Sequence, residues 1–234
     1  MCRAVVICML VACGRVGFSS RTGDDAPAMR EPIAYIGSVI GRDYSGATDT
    51  FPVQAHAAGN VIVIDVACIS TPAPSAVSLA APGWSIVQLD PITASPNGDY
   101  FAASFGALAP DTKATTFTLA WVGATCASAS SELGDELANT DPSGATTFDA
   151  HVQTTGNGTC TATVVTGHAG DAIWAACYSR ASVSGTGAGY TKASDDADGD
   201  WSEYLITTDP AGTSETATFV NPGNEYILAA VALH

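Results

Sequence analysis

From residue 33 onward, short apolar runs alternate with clusters of Gly, Pro, Asn and Asp, and no stretch sustains an apolar stripe at helical spacing. Period-two patterning between turn signals predicts strands. They are expected near Ile33–Ile40, Thr50–Ala55, Val61–Ser70, Trp84–Leu89, Tyr100–Leu108 and Thr115–Val122. A second set is expected near Thr147–Thr154, Thr159–Thr166, Ala172–Ser179, Tyr190–Ala193, Trp201–Thr208, Thr216–Val220 and Tyr226–Leu233. The one helical candidate is Ser130–Leu137, a turn or two at the crossing between the sets. Short strands at this spacing predict an all-β, antiparallel sandwich.

The two sets resemble each other. Gly59-Asn60-Val61-Ile62 matches Gly170-Asp171-Ala172-Ile173, and both follow a His-Ala turn. Pro82-Gly83-Trp84 matches Ala188-Gly189-Tyr190. Asn97-Gly98-Asp99-Tyr100 matches Asp198-Gly199-Asp200-Trp201, and Thr115-Thr116-Phe117-Thr118 matches Thr216-Ala217-Thr218-Phe219. Four anchors in one order predict an internal repeat, about residues 33–126 and 146–234. Either two tandem immunoglobulin-like domains or the two Greek keys of one jelly roll would fit. The run Val61–Val66, apolar on both faces apart from Asp65, favours a central strand of one large core.

Ahead of these strands the pattern changes. Arg3, an apolar run from Ala4 to Ala12 and then Cys13 follow the order of a secretory signal. The run is too short for a membrane span, which needs about 20 apolar residues. Gly14–Glu31 has no hydrophobic period and reads as a flexible tether of about 25 Å average reach. The expected organisation is a signal peptide (1–12), a tether (13–31) and a β-sandwich domain (32–234).

Two resemblances bear on this. Leu10-Val11-Ala12-Cys13 resembles the lipobox of bacterial lipoproteins. That implies cleavage before Cys13, acylation of its thiol and attachment to a membrane through lipid; Gly14 in the next position implies the outer membrane or cell surface. The Gly-Asn/Asp turns, Pro-Gly-Trp and the strand Phe117–Gly123 resemble a β-sandwich module of secreted and surface bacterial proteins. This implies a jelly-roll-like fold built from two similar halves, and no catalytic residues.

Charge narrows the partners. The chain carries a formal net charge of −15, and beyond residue 32 its only basic side chains are Arg42, Lys113, Arg180 and Lys192. Nucleic acid is excluded as a partner, because its binding rests on Lys and Arg neutralising phosphates. With Cys2 and Cys8 in the signal and Cys13 acylated, Cys68, Cys126, Cys160 and Cys177 remain, and four cysteines allow three disulfide connectivities. If the strands around Gly167–Gly170 form a hairpin, Cys160 faces Cys177 at a Cβ separation of about 4.5–5.5 Å. That predicts a Cys160–Cys177 bridge and leaves Cys68 with Cys126. In the competing reading the turn arches between sheets about 10 Å apart, too far for a bridge.

Candidate chemistry is sparse. Asp196, Asp198, Asp200 and Glu203 fall at spacings that suit oxygen ligation of Ca²⁺, although the matching loop, Ser95–Tyr100, is an ordinary turn with one acid. His56, His151, His168 and His234 stand singly, without zinc-ligand spacing; His56 and His168 hold matching turn positions. Asp65, an acid inside an apolar strand, reads as a strand-face acid that faces solvent or hydrogen-bonds a neighbour, with a raised-pKa carboxylate in a cleft as the alternative. Tyr100, Phe101, Tyr190, Trp201 and Tyr204 offer rings for sugar stacking, with core packing as the simpler role. The reading is a non-enzymatic surface module, binding glycan or protein or serving a structural role. A lectin-fold polysaccharide hydrolase is the alternative.

Overall fold

The computed structural model describes residues 31–141, 147–221 and 223–234. The expected signal peptide, the expected tether up to Arg30 and Cys13 lie outside the described residues. The first half runs through β1 (Ala34–Gly46), β2 (Thr48–Val53), β3 (Val61–Ile69), β4 (Ala76–Ala80), β5 (Ser85–Gln88), β6 (Thr93–Ala94), β7 (Tyr100–Leu108), β8 (Thr115–Val122) and β9 (Cys126–Ala138). The second runs through β10 (Phe148–Asn157), β11 (Cys160–Val165), β12 (Ala172–Ser179), β13 (Thr191–Asp195), β14 (Trp201–Ile206), β15 (Ser214–Phe219) and β16 (Glu225–Leu233). Among the described residues there is no helix, and so none that is long and apolar enough to cross a membrane.

The halves repeat one topology. The large sheet of the first half has the order β1-β9-β3-β7-β5, with β6 also on β7, and that of the second has β10-β16-β12-β14-β13. The small sheets are β2-β8-β4 and β11-β15, and a bridge between Ser184 and Val220 stands where β4 pairs β8. All pairings are antiparallel. In each half the chain passes repeatedly between its large and small sheets, giving a jelly-roll-like β-sandwich.

Three apolar layers account for the residue patterns. Ile62, Ile64, Val66, Phe105, Phe117, Leu119 and Trp121 fill the first half, and Ile173, Val183, Phe219 and Leu228 fill the second. Between them the two large sheets bury Val61, Val63, Tyr100, Leu133, Leu137, Trp174, Tyr178 and Val231 against each other. Covered on both faces, β3, β7, β12 and β16 are apolar almost throughout. The small sheets cover one face only, so β2, β8, β11 and β15 alternate. Residues 31–234 accordingly form one compact unit containing two sandwiches. Two glycines permit the close approach: a Cβ on Gly106 would lie 2.0 Å from the Phe148 ring, and one on Gly41 would lie 2.3 Å from the Asp195 carbonyl oxygen.

Two expectations are corrected. Ser130–Leu137 is not helical but belongs to β9, the strand between β1 and β3. Its acids do not face solvent: Glu132, Asp135 and Glu136 are buried with partners. The bridges Cys68–Cys126 and Cys160–Cys177 are both present, but the second does not arise from a hairpin. β11 pairs β15 in the small sheet and β12 lies in the large one, so the turn arches between sheets. The cysteines meet across the core of the second half, where the Cα atoms approach to 6.5 Å. The 10 Å spacing is a mean between sheets; at Cys160 and Cys177, toward the ends of β11 and β12 remote from their connecting turn, the two backbones lie closer than that.

The Cys160–Cys177 bridge closes a sequence separation of 17 residues and ties the small sheet to the large one. Replacing both cysteines by alanine should cost about 3 kcal/mol of stability, measured by urea unfolding under non-reducing conditions. An unchanged midpoint would contradict the assignment.

Candidate functional site

The acidic loop after β13 is built around internal hydrogen bonds. Asp196 Oδ1 accepts the N–H groups of Gly199 and Asp200, at 2.8 and 2.9 Å, and closes the turn. Asp200 is buried and accepts Tyr100 Oη–H (3.0 Å), Ser131 Oγ–H (2.9 Å) and the Ser179 N–H (2.9 Å). Burial, with Asp196 nearby, pushes its carboxyl well above the usual range. Glu203 turns to the opposite face of the sheet, where its carboxylate accepts the N–H groups of Gly187 (2.8 Å) and Thr218 (3.1 Å). The structure therefore places Asp196, Asp198 and Asp200 on one loop and sends Glu203 elsewhere, because β14 alternates its side chains between two cores. Asp43 on β1 joins this loop instead; burial and the charges of Asp196 and Asp198 raise its carboxyl to about 6.

A second carboxylate crosses the middle layer in the other direction. Asp135 of β9 accepts Trp174 Nε1–H (2.7 Å), Ser202 Oγ–H (2.5 Å) and Ser194 Oγ–H (3.0 Å) from the second half, and Tyr35 Oη–H (3.0 Å) from its own. Burial raises its pKa and these four donors oppose the rise. Asp65 is fully buried in the same layer, with Ser104 Oγ (3.2 Å) and the Val66 N–H (3.1 Å) on one oxygen. The hydrogen-bonded form of the expectation holds for it, and the solvent-facing form does not. Burial, then Asp90, pushes its carboxyl far up.

The aromatic candidates for sugar stacking are largely internal. Tyr100, Phe101 and Tyr190 are buried. Tyr204 stacks on Tyr35 at 4.1 Å, and Lys192 Nζ lies 3.8 Å over the Trp201 ring. Among the described residues, the exposed large apolar side chains are Ile36, Val87, Val122, Val165 and Val220, none of them aromatic.

The arrangement with unspent ligating capacity lies at one end of the large sheet of the second half. The register places Leu233 opposite both Ala172 and Phe148, which gathers Asp149, Asp171 and His234 with His168 from the β11–β12 turn. The His168 and His234 rings stack at 3.9 Å. His234 Nδ1 lies 3.1 Å from Asp171 Oδ1, and the His168 N–H donates to Asp171 Oδ2 at 3.2 Å. His168 Nδ1 lies 3.2 Å from Asp149 Oδ1 at ion-pair distance, but without hydrogen-bond geometry. Asp149 also accepts the Gly167 N–H. One ligating atom from each of His168, Asp171 and His234 lies within 4.8 Å of the others. Burial raises the Asp171 carboxyl, and the neighbouring Asp149 adds to that.

The matching end of the first half is closed by its own bonds. Glu136 accepts the His56 N–H (2.8 Å) and the Asn60 Nδ2–H (2.5 Å), and its second oxygen meets His56 Nδ1 (2.8 Å). His151, the remaining histidine, pairs with Asp90 across the halves at 2.9 Å. Sequence spacing reveals none of this at His234, which stands 63 residues from Asp171 and meets it only through the β16 pairing. The one available signal was Asp171 replacing Asn60 in the repeated turn. The chain has no significant match among protein-family models, curated proteins or solved structures.

Glu132, held by Arg42 Nε at 2.9 Å, and Glu203 are both raised by burial from 4.5 to about 7. Each holds its proton more tightly in the folded state, so its contribution is full below about pH 4.5 and lost as pH climbs through 7. Melting temperature should fall by several degrees between pH 5 and pH 8, and Glu203→Gln should flatten that slope. A melting temperature that rises over this interval would refute the assignment.

Proposed function

We propose that this protein is exported, anchored through lipid on Cys13, and acts as a non-enzymatic module facing the cell surface or periplasm, with a structural or protein-binding role. The observation that carries the reading is the pair of bridges, Cys68–Cys126 and Cys160–Cys177. Such bridges persist in oxidising compartments and are rare in the cytosol. An order of Arg3, an apolar run and a lipobox-like Leu10-Val11-Ala12-Cys13 supplies the route out and the anchor.

The choice of a structural or protein-binding role over sugar binding rests on the aromatic side chains, which are committed to packing. The hydrolase alternative needs a concave sheet lined by carboxylates and rings. Here both large sheets are covered on both faces, and their buried acids are engaged by protein donors. The acidic surface favours solubility and mutual repulsion between copies.

Expression in a bacterial host supplied with an alkyne-tagged fatty acid tests the anchor. The wild-type chain should be trimmed, carry the label and sediment with membranes, while Cys13→Ser should be unlabelled. Recovery of unlabelled wild-type protein with its first twelve residues intact and its four domain cysteines reduced would defeat the proposal.

A further inference from the structure

We infer that His168, Asp171 and His234 bind one transition-metal dication of the zinc type, with Asp149 orienting the site. This is independent of the proposed surface role and rests on a different set of residues.

Both halves carry the same turn before their central strand, and both bring it against the end of the last strand. In the first half that meeting point is complete: one carboxylate, Glu136, is matched by the His56 N–H, the His56 ring and the Asn60 amide. In the second half the amide donor is replaced by the carboxylate of Asp171, a second carboxylate arrives on Asp149, and a second imidazole arrives on His234. One carboxylate against one imidazole and an amide has become two carboxylates against two imidazoles, with the amide gone. Neither Lys nor Arg pairs with Asp149 or Asp171 among the described ion pairs.

A metal dication would be bound by both imidazoles and the Asp171 carboxylate at once. Two imidazoles and a carboxylate suit zinc and its neighbours, whereas Ca²⁺ and Mg²⁺ prefer oxygen throughout. The ligating atoms already lie within 4.8 Å of one another. Ligands on one tetrahedral zinc stand about 3.3 Å apart, given bonds of about 2.0–2.1 Å, so small side-chain rotations close the site. The two rings lie 3.9 Å apart and nearly parallel, so they are adjacent but must turn for their in-plane lone pairs to converge on one ion, and the His168 ring has no well-directed hydrogen bond at Nδ1 to resist that turn. Asp171, fully buried, is a fixed point around which the more exposed imidazoles can turn. Asp149 beside His168 provides the outer carboxylate that ligating histidines usually have. A metal here would pin the end of β16 to the start of β12 and to β10.

Calorimetric titration of the full chain with Zn²⁺ tests this directly. The expected result is a site absent from the His168→Ala/His234→Ala variant, with each single variant weakened roughly 100-fold or more. His56→Ala, in the matching turn, should bind as the wild type does. Zinc held by the thiols of Cys2, Cys8 or Cys13 would appear equally in the double variant, so the difference in stoichiometry is the deciding quantity. As a readout that needs no variant, imidazole nitrogen resonances of His168 and His234 should shift with Zn²⁺ while those of His56 and His151 stay. Equal zinc uptake by wild type and double variant, unmoved His168 and His234 resonances, or Ca²⁺ binding as tightly as Zn²⁺ would each overturn the inference.

Discussion

Two carboxylates cross the plane between the large sheets in opposite directions, and the joining of the two sandwiches depends on them. Asp135 reaches from the first half to Trp174, Ser194 and Ser202 of the second; Asp200 reaches back to Tyr100 and Ser131. Packing two flat apolar sheets fixes neither register nor rotation, since the hydrophobic effect is non-directional. A buried carboxylate with several directed donors does fix them, because any slip leaves a polar group without a partner at a cost of about 1–3 kcal/mol each. Burial of Val61, Val63, Leu133, Trp174 and Val231 drives the sheets together, and the acids select the arrangement. Arg180, which meets Asp99 of the first half and Glu225 of its own, adds a fastening at the rim.

The same principle explains how much of the fold could be read from sequence. Strands with one solvated face, such as β8 and β15, alternate and are legible by period alone. Strands covered on both faces, such as β3 and β12, show as continuous apolar runs between turn signals. The difficulty lay in β9. Its buried acids imitate a solvated surface, and only the partners on neighbouring sheets reveal that Glu132, Asp135 and Glu136 are interior. The short strands β4 and β6 were also missed, having few residues over which a period can show. The bridge between Cys160 and Cys177 was anticipated from a hairpin that does not exist; β11 and β12 lie in different sheets, and the link runs through the core.

Candidate chemistry was less legible than fold for a related reason. Sequence proximity put Asp196, Asp198, Asp200 and Glu203 together, but strand alternation separates Glu203 from the rest. Conversely, His234 and Asp171 meet through a strand pairing that no local spacing encodes. The repeat is the better guide. Where two halves share a turn, the positions at which they differ, Asn60 against Asp171, mark where the copies have diverged chemically.

Whether Asp135 fastens the two sandwiches together is read from a double-mutant cycle on Asp135 and Trp174. Unfolding free energies of the wild type, Asp135→Ala, Trp174→Phe and the double variant isolate the bond between carboxylate and indole N–H. A coupling of about 1.5 kcal/mol or more is expected. A coupling within error of zero, with the single-variant losses simply adding, would contradict that fastening.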